Sequence, residues 1–202
     1  VGDISSAAFF IVAGLIVKGS DFIIKNVGIN PTRSGILDVV KRMGGGVEIL
    51  NERVVSGEPC ADLRIQYNDN LQGCVIEGSD IPRLIDELPV IAVLASQAEG
   101  ETLVKNAEDL RNKESDRIKC LVNELSKIGI DIKETSDGFI VVGKNTLAQK
   151  PVKSELECYH DHRLAMSFFV AGLLCENEIA INGFEWTKIS FPEFEELFAK
   201  LK

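Results

Sequence analysis

Three stretches of this chain repeat one order of elements: an apolar helix, a Gly or acidic turn, a short strand ending at Asn, and an amphipathic helix usually closed by glycine. The first runs from Ser5 through Phe22–Asn26 to Pro31–Met43 and Gly44-Gly45-Gly46. The second joins Leu88–Gln97 to Thr102–Asn106 and then to a helix through Ile118, Leu121, Leu125 and Ile128, closing at Gly129. The third comprises Arg163–Leu174, Ile179–Asn182 and a helix carrying Phe191, Phe194, Leu197, Phe198 and Leu201. Asn26, Asn106 and Asn182 stand 80 and then 76 residues apart, a spacing that suggests duplication of one α/β unit. In each stretch the first helix is apolar nearly all round and the second carries a stripe. The first helices should therefore be central and the second more exposed. A coincidental alternation of helices and strands is the competing reading.

Local signals supply boundaries. Asn30 before Pro31 reads as an N-cap with proline in the first turn, and Ser190 with Glu193 as a capping box around Pro192. Strands are expected at Ala61–Tyr67, Cys74–Glu77, Ile130–Glu134 and Phe139–Val142, the last two joined through Ser136-Asp137-Gly138, a hairpin signal. No low-complexity linker divides the chain, so residues 1–202 read as one domain, with units of about 1–80, 81–158 and 159–202.

Charge and cysteine usage narrow the function classes. A net charge of −9 without dense lysine runs argues against nucleic acid as the main partner, so any anion site must gather its cations locally. Cys60, Cys74, Cys120, Cys158 and Cys175 are odd in number and never spaced Cys-x-x-Cys, which speaks against a disulfide framework and for a reducing cytoplasm. The apolar run Ala7–Val17 is too short to span a bilayer and lacks the flanks of a signal peptide. No membrane partner is expected. A first residue of Val1 rather than Met suggests a fragment.

Four segments have residues suited to chemistry. Lys113-Glu114-Ser115-Asp116-Arg117 sets two cations and a carboxylate within what reads as one helical turn, with Lys113 and Arg117 sharing a face. That combination suits an anionic substrate undergoing proton transfer, although a solvated turn with intrahelical ion pairs would look the same. Asp86 precedes a helix that Pro89 helps to start, so it is either an N-cap or a site carboxylate. Cys158-Tyr159-His160-Asp161-His162-Arg163 contains both histidines. A zinc set there lacks a further ligand nearby in sequence, whereas Arg163 at a helix N-terminus suits a carboxylate or phosphate clamp. Gly2-Asp3-Ile4-Ser5-Ser6 reads as a helix cap, since no Gly-x-Ser-x-Gly elbow is present. There is likewise no Walker loop.

Taken together, Gly2–Phe10 (GDISSAAFF), Asn30–Gly35 (NPTRSG), Asp86–Ala92 (DELPVIA), Lys105–Arg117 (KNAEDLRNKESDR) and Asp161–Met166 (DHRLAM) resemble the 5-enolpyruvylshikimate-3-phosphate synthases, in family order across the whole chain. The resemblance implies an α/β fold, an enolpyruvyl-transferase-like domain of three repeated α/β units with helices inside and sheets outside, an inside-out barrel. It implies the C-terminal domain of a two-domain enzyme whose N-terminal domain is absent here, a monomer when complete, with its active site in the cleft between domains. The implied reaction moves the enolpyruvyl group of phosphoenolpyruvate to the 5-hydroxyl of shikimate 3-phosphate with release of phosphate, and neither metal nor organic cofactor is implied. The fragment alone should turn nothing over.

Carried over residue by residue, the resemblance makes Asp86 the carboxylate that contacts the shikimate hydroxyls and accepts a proton. Glu114 becomes the acid that protonates and then deprotonates the methylene carbon. Lys113 reaches the 5-oxygen, and Arg117 and Arg163 hold phosphoenolpyruvate. Two positions depart from the family pattern: Asp109 stands where many members have an amide, and Ile189 where some have a lysine, with Lys188 one residue early. Two alternatives are the related transferase that acts on UDP-N-acetylglucosamine and a non-catalytic α/β interaction module. Lys113–Arg117, with His162 before Arg163, favours the shikimate enzyme.

Overall fold

The computed structural model describes residues 1–143 and 155–201. The first group of elements is α1 (Ile4–Ile16), β1 (Asp21–Gly28), α2 (Gly35–Arg42), β2 (Gly46–Val55) and β3 (Glu58–Gln66). Next come β4 (Val75–Ile76), α3 (Leu88–Ser96), β5 (Gly100–Val104), α4 (Arg117–Lys127), β6 (Asp131–Glu134) and β7 (Phe139–Gly143). The last described group is β8 (Glu155–Glu157), α5 (His162–Gly172), β9 (Ala180–Asn182) and α6 (Phe194–Ala199).

Helices α1, α3 and α5 pack on one another at the centre. Every residue of α1 except Ser6 is buried, and so is every residue of α3. A helix apolar on all sides has no face to offer water, so it is stable only when neighbours surround it. The sheets supply that surround. They run β1-β3-β2, β4-β5-β7-β6 and β8-β9, and side chains of β2 on the outside are almost all exposed. The fold is thus three α/β units with helices inside and sheets outside, as the repeat and the resemblance imply.

The units share finer details. In each, backbone just ahead of the central helix pairs parallel with the strand just after it: Gly2 with Val27, β4 with β5, and β8 with β9. Asn26 and Asn106 both take left-handed backbone, at φ of 58° and 56°. Each sends its N–H to an aspartate of its own unit, Asn26 to Asp62 Oδ1 at 2.8 Å and Asn106 to Asp137 Oδ2 at 2.7 Å. Asparagine tolerates this conformation better than most residues, which explains its recurrence at the strand ends. Asn182 is not in that region, so its match is one of position only.

Several boundaries differ from the sequence expectation. Asn30 caps a turn and not a helix: its Oδ1 accepts from Thr32 N–H at 3.0 Å, and α2 begins only at Gly35. Ser190 closes a 3-10 segment and forms no capping box, since α6 starts at Phe194 with no side-chain cap. The long strand β2 was not anticipated. Its exposed side chains alternate poorly, and Asn51 at φ 52° interrupts the register with β3. The hairpin β6–β7 forms where expected, and Gly138 in its turn is needed because a Cβ there would collide with the Val104 carbonyl.

Aromatic rings lock α6 to the centre. Phe10 and Phe198 stack with ring centroids 4.1 Å apart, and Phe194 meets Phe9 edge-on at 5.8 Å. Burying a phenylalanine contributes about 1.5–3 kcal/mol. This short helix of six residues is therefore held by packing, because isolated helices of that length are not stable.

Candidate functional site

The first turns of α1, α3, α4 and α5 meet in one region, and their charged residues form a single network. Three of these helices start on an aspartate cap. Asp3 accepts from Ser6 N–H in α1, Asp116 from Lys119 N–H in α4, and Asp161 from Arg163 and Leu164 N–H in α5. Unpaired N–H groups give each helix start a partial positive charge.

Arg117 is the hub. Its side chain is 2% exposed, and it donates to three carboxylates: Nε to Asp161 at 2.8 Å, Nη1 to Asp86 at 3.0 Å and Nη2 to Glu114 at 2.6 Å. Among the described residues one N–H remains on each terminal nitrogen, donors that a guanidinium can offer to a planar oxyanion. Burial works against the charge, but the bonds to Asp161 and the charges of Glu114 and Asp86 outweigh it and raise the Arg117 pKa further. Asp161 is itself fully buried and also accepts from the Ser115 hydroxyl at 3.1 Å.

Asp86 lies in a 3-10 turn (Ile85–Glu87) ahead of α3 and makes no capping bond, so its N-cap reading does not hold. Its Oδ1 receives Lys113 Nζ at 3.2 Å as well as Arg117. Burial raises the Asp86 pKa, yet the charges of Arg163, Lys113 and Arg117 prevail and hold it below the ordinary carboxylate range. Asp86 is accordingly ionised at neutral pH.

Lys113, Glu114 and Ser115 do not lie on a helical turn. Lys113 is extended, with ψ −158°, and α4 begins only at Arg117 behind its Asp116 cap. The shared helix face expected for Lys113 and Arg117 is thus corrected. They converge because Asp86, from another segment, draws both, and because the strong Asp116 cap delays the helix.

Arg163 sits in the first turn of α5 and donates from Nη1 to the Ser5 carbonyl at 3.3 Å. Beside it, Glu87 is 3% exposed, and its Oε1 has no hydrogen-bond partner among the described residues. Burial pushes the Glu87 carboxyl up; the Ser5 side chain and Arg163 pull it down, while Asp86 and Asp3 add to the rise. His162 is held below its usual pKa, first by burial and then by Arg163.

All five residues singled out from the sequence, Asp86, Lys113, Glu114, Arg117 and Arg163, therefore belong to one network. Sequence reasoning passed over Asp161, Ser115, Ser5 and Glu87. An Asp before a helix signals a cap, and only the tertiary structure reveals that the other oxygen of Asp161 faces Arg117. The pair Asp86-Glu87 was visible, but nothing local distinguished the buried member. Asp109 and Lys188 are exposed, and Ile189 is 68% exposed. His160 packs against Trp186, and no group of three or more His, Cys, Asp or Glu suited to a metal occurs among the described residues. No described helix is long and apolar enough to cross a membrane. Two apolar grooves beside α6 are lined by Phe22, Leu201 and neighbours, and include none of Asp86, Lys113, Glu114, Arg117 and Arg163.

Residues 1–198 match the model of the family EPSP synthase (3-phosphoshikimate 1-carboxyvinyltransferase). The chain is 50% identical over 201 residues to a 3-phosphoshikimate 1-carboxyvinyltransferase of Petrotoga mobilis, covering 100% of this chain and 46% of that protein. Identity to the enzyme of the same name from Brevibacillus brevis is 50% over 200 residues, again covering 46% of it. The chain thus spans about half the length of these curated relatives. Among solved structures, an EPSP synthase from Acinetobacter baumannii superposes with a TM-score of 0.93 at 42% identity, over 98% of this chain and 45% of that one. The enolpyruvyl transferase NikO from Streptomyces tendae shares the fold, with a TM-score of 0.74 at 17% identity over 98% of this chain and 42% of its own.

Proposed function

Because the chain belongs to the EPSP synthase family, we propose that it is the C-terminal half of a 3-phosphoshikimate 1-carboxyvinyltransferase, carrying one wall of a two-walled active site. The observation that carries this reading is the network around Arg117. It joins Lys113 and three carboxylates by direct bonds at the convergence of helix starts, with the charge of Arg163 acting on Asp86 and two guanidinium N–H groups unused among the described residues.

The reaction adds the 5-hydroxyl of shikimate 3-phosphate to C2 of phosphoenolpyruvate while the methylene carbon gains a proton. The tetrahedral intermediate then loses that methyl proton and inorganic phosphate, restoring the enol double bond. Two anions must be held, and one proton must leave an oxygen while another joins and leaves a carbon. Arg163 and the remaining N–H pair of Arg117 hold the carboxylate and phosphate of phosphoenolpyruvate. Asp86 takes the hydroxyl proton, with Lys113 at 3.2 Å stabilising the oxygen as it attacks. Glu114, whose Oε2 is bound by Arg117 at 2.6 Å, keeps Oε1 for the methylene proton. The same reading puts the enzyme in the cytoplasm, in keeping with five free thiols.

The test is complementation. This chain is mixed with the separately expressed N-terminal half of the same enzyme, and phosphate release from both substrates is assayed. Turnover by the mixture and by neither half alone is the expected result. No turnover from two folded halves that associate would overturn the reading.

A further inference from the structure

Glu87 is used by none of the steps above, yet it is a buried carboxyl with an orphan oxygen in the same network. An unpaired buried polar atom is costly to keep away from water, a cost a fold does not retain without compensation elsewhere. Its surroundings name the compensation. From its own segment Asp86 faces it; from α1, Asp3 and Ser5; from α5, Arg163. Arg163 is the one cation in that set. Of its side-chain N–H groups, only Nη1 is engaged among the described residues, with the Ser5 carbonyl.

We propose, resting on the enolpyruvyl-transfer reading, that Glu87 is a positioning residue for the anion held by Arg163: neutral, it leaves the guanidinium to the anion, and ionised, it competes for it. The linkage has a definite sign. A bound anion places a second negative charge near Glu87, which favours the protonated form. Anion binding therefore takes up a proton, and affinity falls as pH rises from the free-state midpoint of Glu87 to its bound-state midpoint. Burial and the carboxylates of Asp86 and Asp3 already push that midpoint up, bringing the linkage toward neutral pH. Asp86, ionised well below this range, does not contribute to the slope. His162 is the other group on α5 able to titrate nearby, and the variant below separates it.

Sulfate is the probe, because it is an oxyanion that does not titrate near neutrality. The side-chain carboxyl of Glu87 in this chain is followed by carbon-detected NMR across pH, assigned through bonds and by its loss in Glu87→Gln. The expected midpoint lies above the ordinary glutamate range and moves up further with saturating sulfate. Each unit of that movement corresponds to about tenfold in sulfate affinity across the titration. In Glu87→Gln the affinity should lose that dependence while sulfate still binds. A midpoint indifferent to sulfate, absence of sulfate binding, or an unchanged slope in Glu87→Gln would each overturn the proposal. Should the variant not fold, the titration of the unsubstituted chain decides alone. Failure of the complementation assay with the sulfate linkage intact refutes the enzymatic reading instead; turnover without the linkage refutes only the role of Glu87.

Discussion

Arg117 Nε donates to Asp161 Oδ2 at 2.8 Å, and the two side chains are 2% and 0% exposed. This bond joins the start of α4 to the cap of α5, two segments 44 residues apart in sequence. It sets the direction of the guanidinium, because Asp161 is in turn fixed by the N–H groups of Arg163 and Leu164.

Removing Arg117 strands the Asp161 charge in the interior, whereas removing Asp161 leaves Arg117 its bonds to Asp86 and Glu114. Arg117→Met should cost about 3–5 kcal/mol of folding stability and Asp161→Ala about 1.5–3 kcal/mol, the worth of a charged hydrogen bond, both measured by urea unfolding. Replacing both at once should cost less than the sum of the two. A loss under about 1 kcal/mol for either single variant would mean that the charge is relieved by water and that the pair does not organise the site.

Arg163 is less embedded in the protein, with a single side-chain bond among the described residues, at 3.3 Å. In the complete enzyme Arg163→Gln should leave stability nearly unchanged and weaken phosphoenolpyruvate by about 1.5–3 kcal/mol, or roughly 10–100-fold, the worth of a charged hydrogen bond. Steady-state kinetics with each substrate varied in turn is the check. An equal loss for shikimate 3-phosphate would remove Arg163 from the phosphoenolpyruvate clamp.

The buried Glu87 carboxyl should destabilise the fold as pH rises. Its folded pKa lies above the unfolded value, chiefly through burial, so its contribution is fully present below the ordinary glutamate pKa. That contribution is lost between the unfolded and folded values, because the unfolded chain releases the proton first. Glu87→Gln should therefore melt higher than the unsubstituted chain at neutral pH and at the same temperature or lower under acid conditions. Thermal melts across pH measure this, and a variant less stable at neutral pH would reverse the sign. Asp86 acts oppositely: its pKa is lowered despite burial, by Arg163, Lys113 and Arg117, so its stabilisation is lost only as pH falls through that low value.

The left-handed asparagines give a prediction remote from the site. Asn106→Ala and Asn26→Ala should each destabilise by about 1–2 kcal/mol, the cost of that backbone for an ordinary side chain, and the corresponding Gly variants by less. Denaturant midpoints compare them directly. An alanine variant no worse than its glycine counterpart would mean that the bonds Asn26 Oδ1 accepts from Arg53 and Asn106 Oδ1 accepts from the Gly78 N–H, and not the conformation, matter there.

Much of the architecture was legible because it rests on short-range regularities. The all-apolar composition of Leu88–Ala95 forces burial on every side, so a central helix follows from composition alone. The strand-ending asparagines and the cap Asp3 are likewise local, since an N-cap needs only the N–H groups two or three residues on. Strand β2 escaped because an outer, solvated strand has no apolar face to impose an alternation. Asn30 misled because an Asx turn and a helix cap use the same bond to the backbone and differ only in whether the helix continues.

The sequence by itself determined that three α/β units exist, that their first helices are central, and that Lys113, Glu114 and Arg117 sit beside one another in the chain. Only the tertiary structure decided what those residues do together. Arg117 is a hub because Asp86 arrives from another segment of its own unit and Asp161 from the next unit, and a guanidinium interacts with whatever lies within hydrogen-bond reach regardless of sequence distance. Glu87 and Asp86 are neighbours of like type, yet one is buried and pushed up while the other is surrounded by cations and held down. That distinction arises from desolvation and Coulomb forces across the folded molecule, neither of which is written in local sequence.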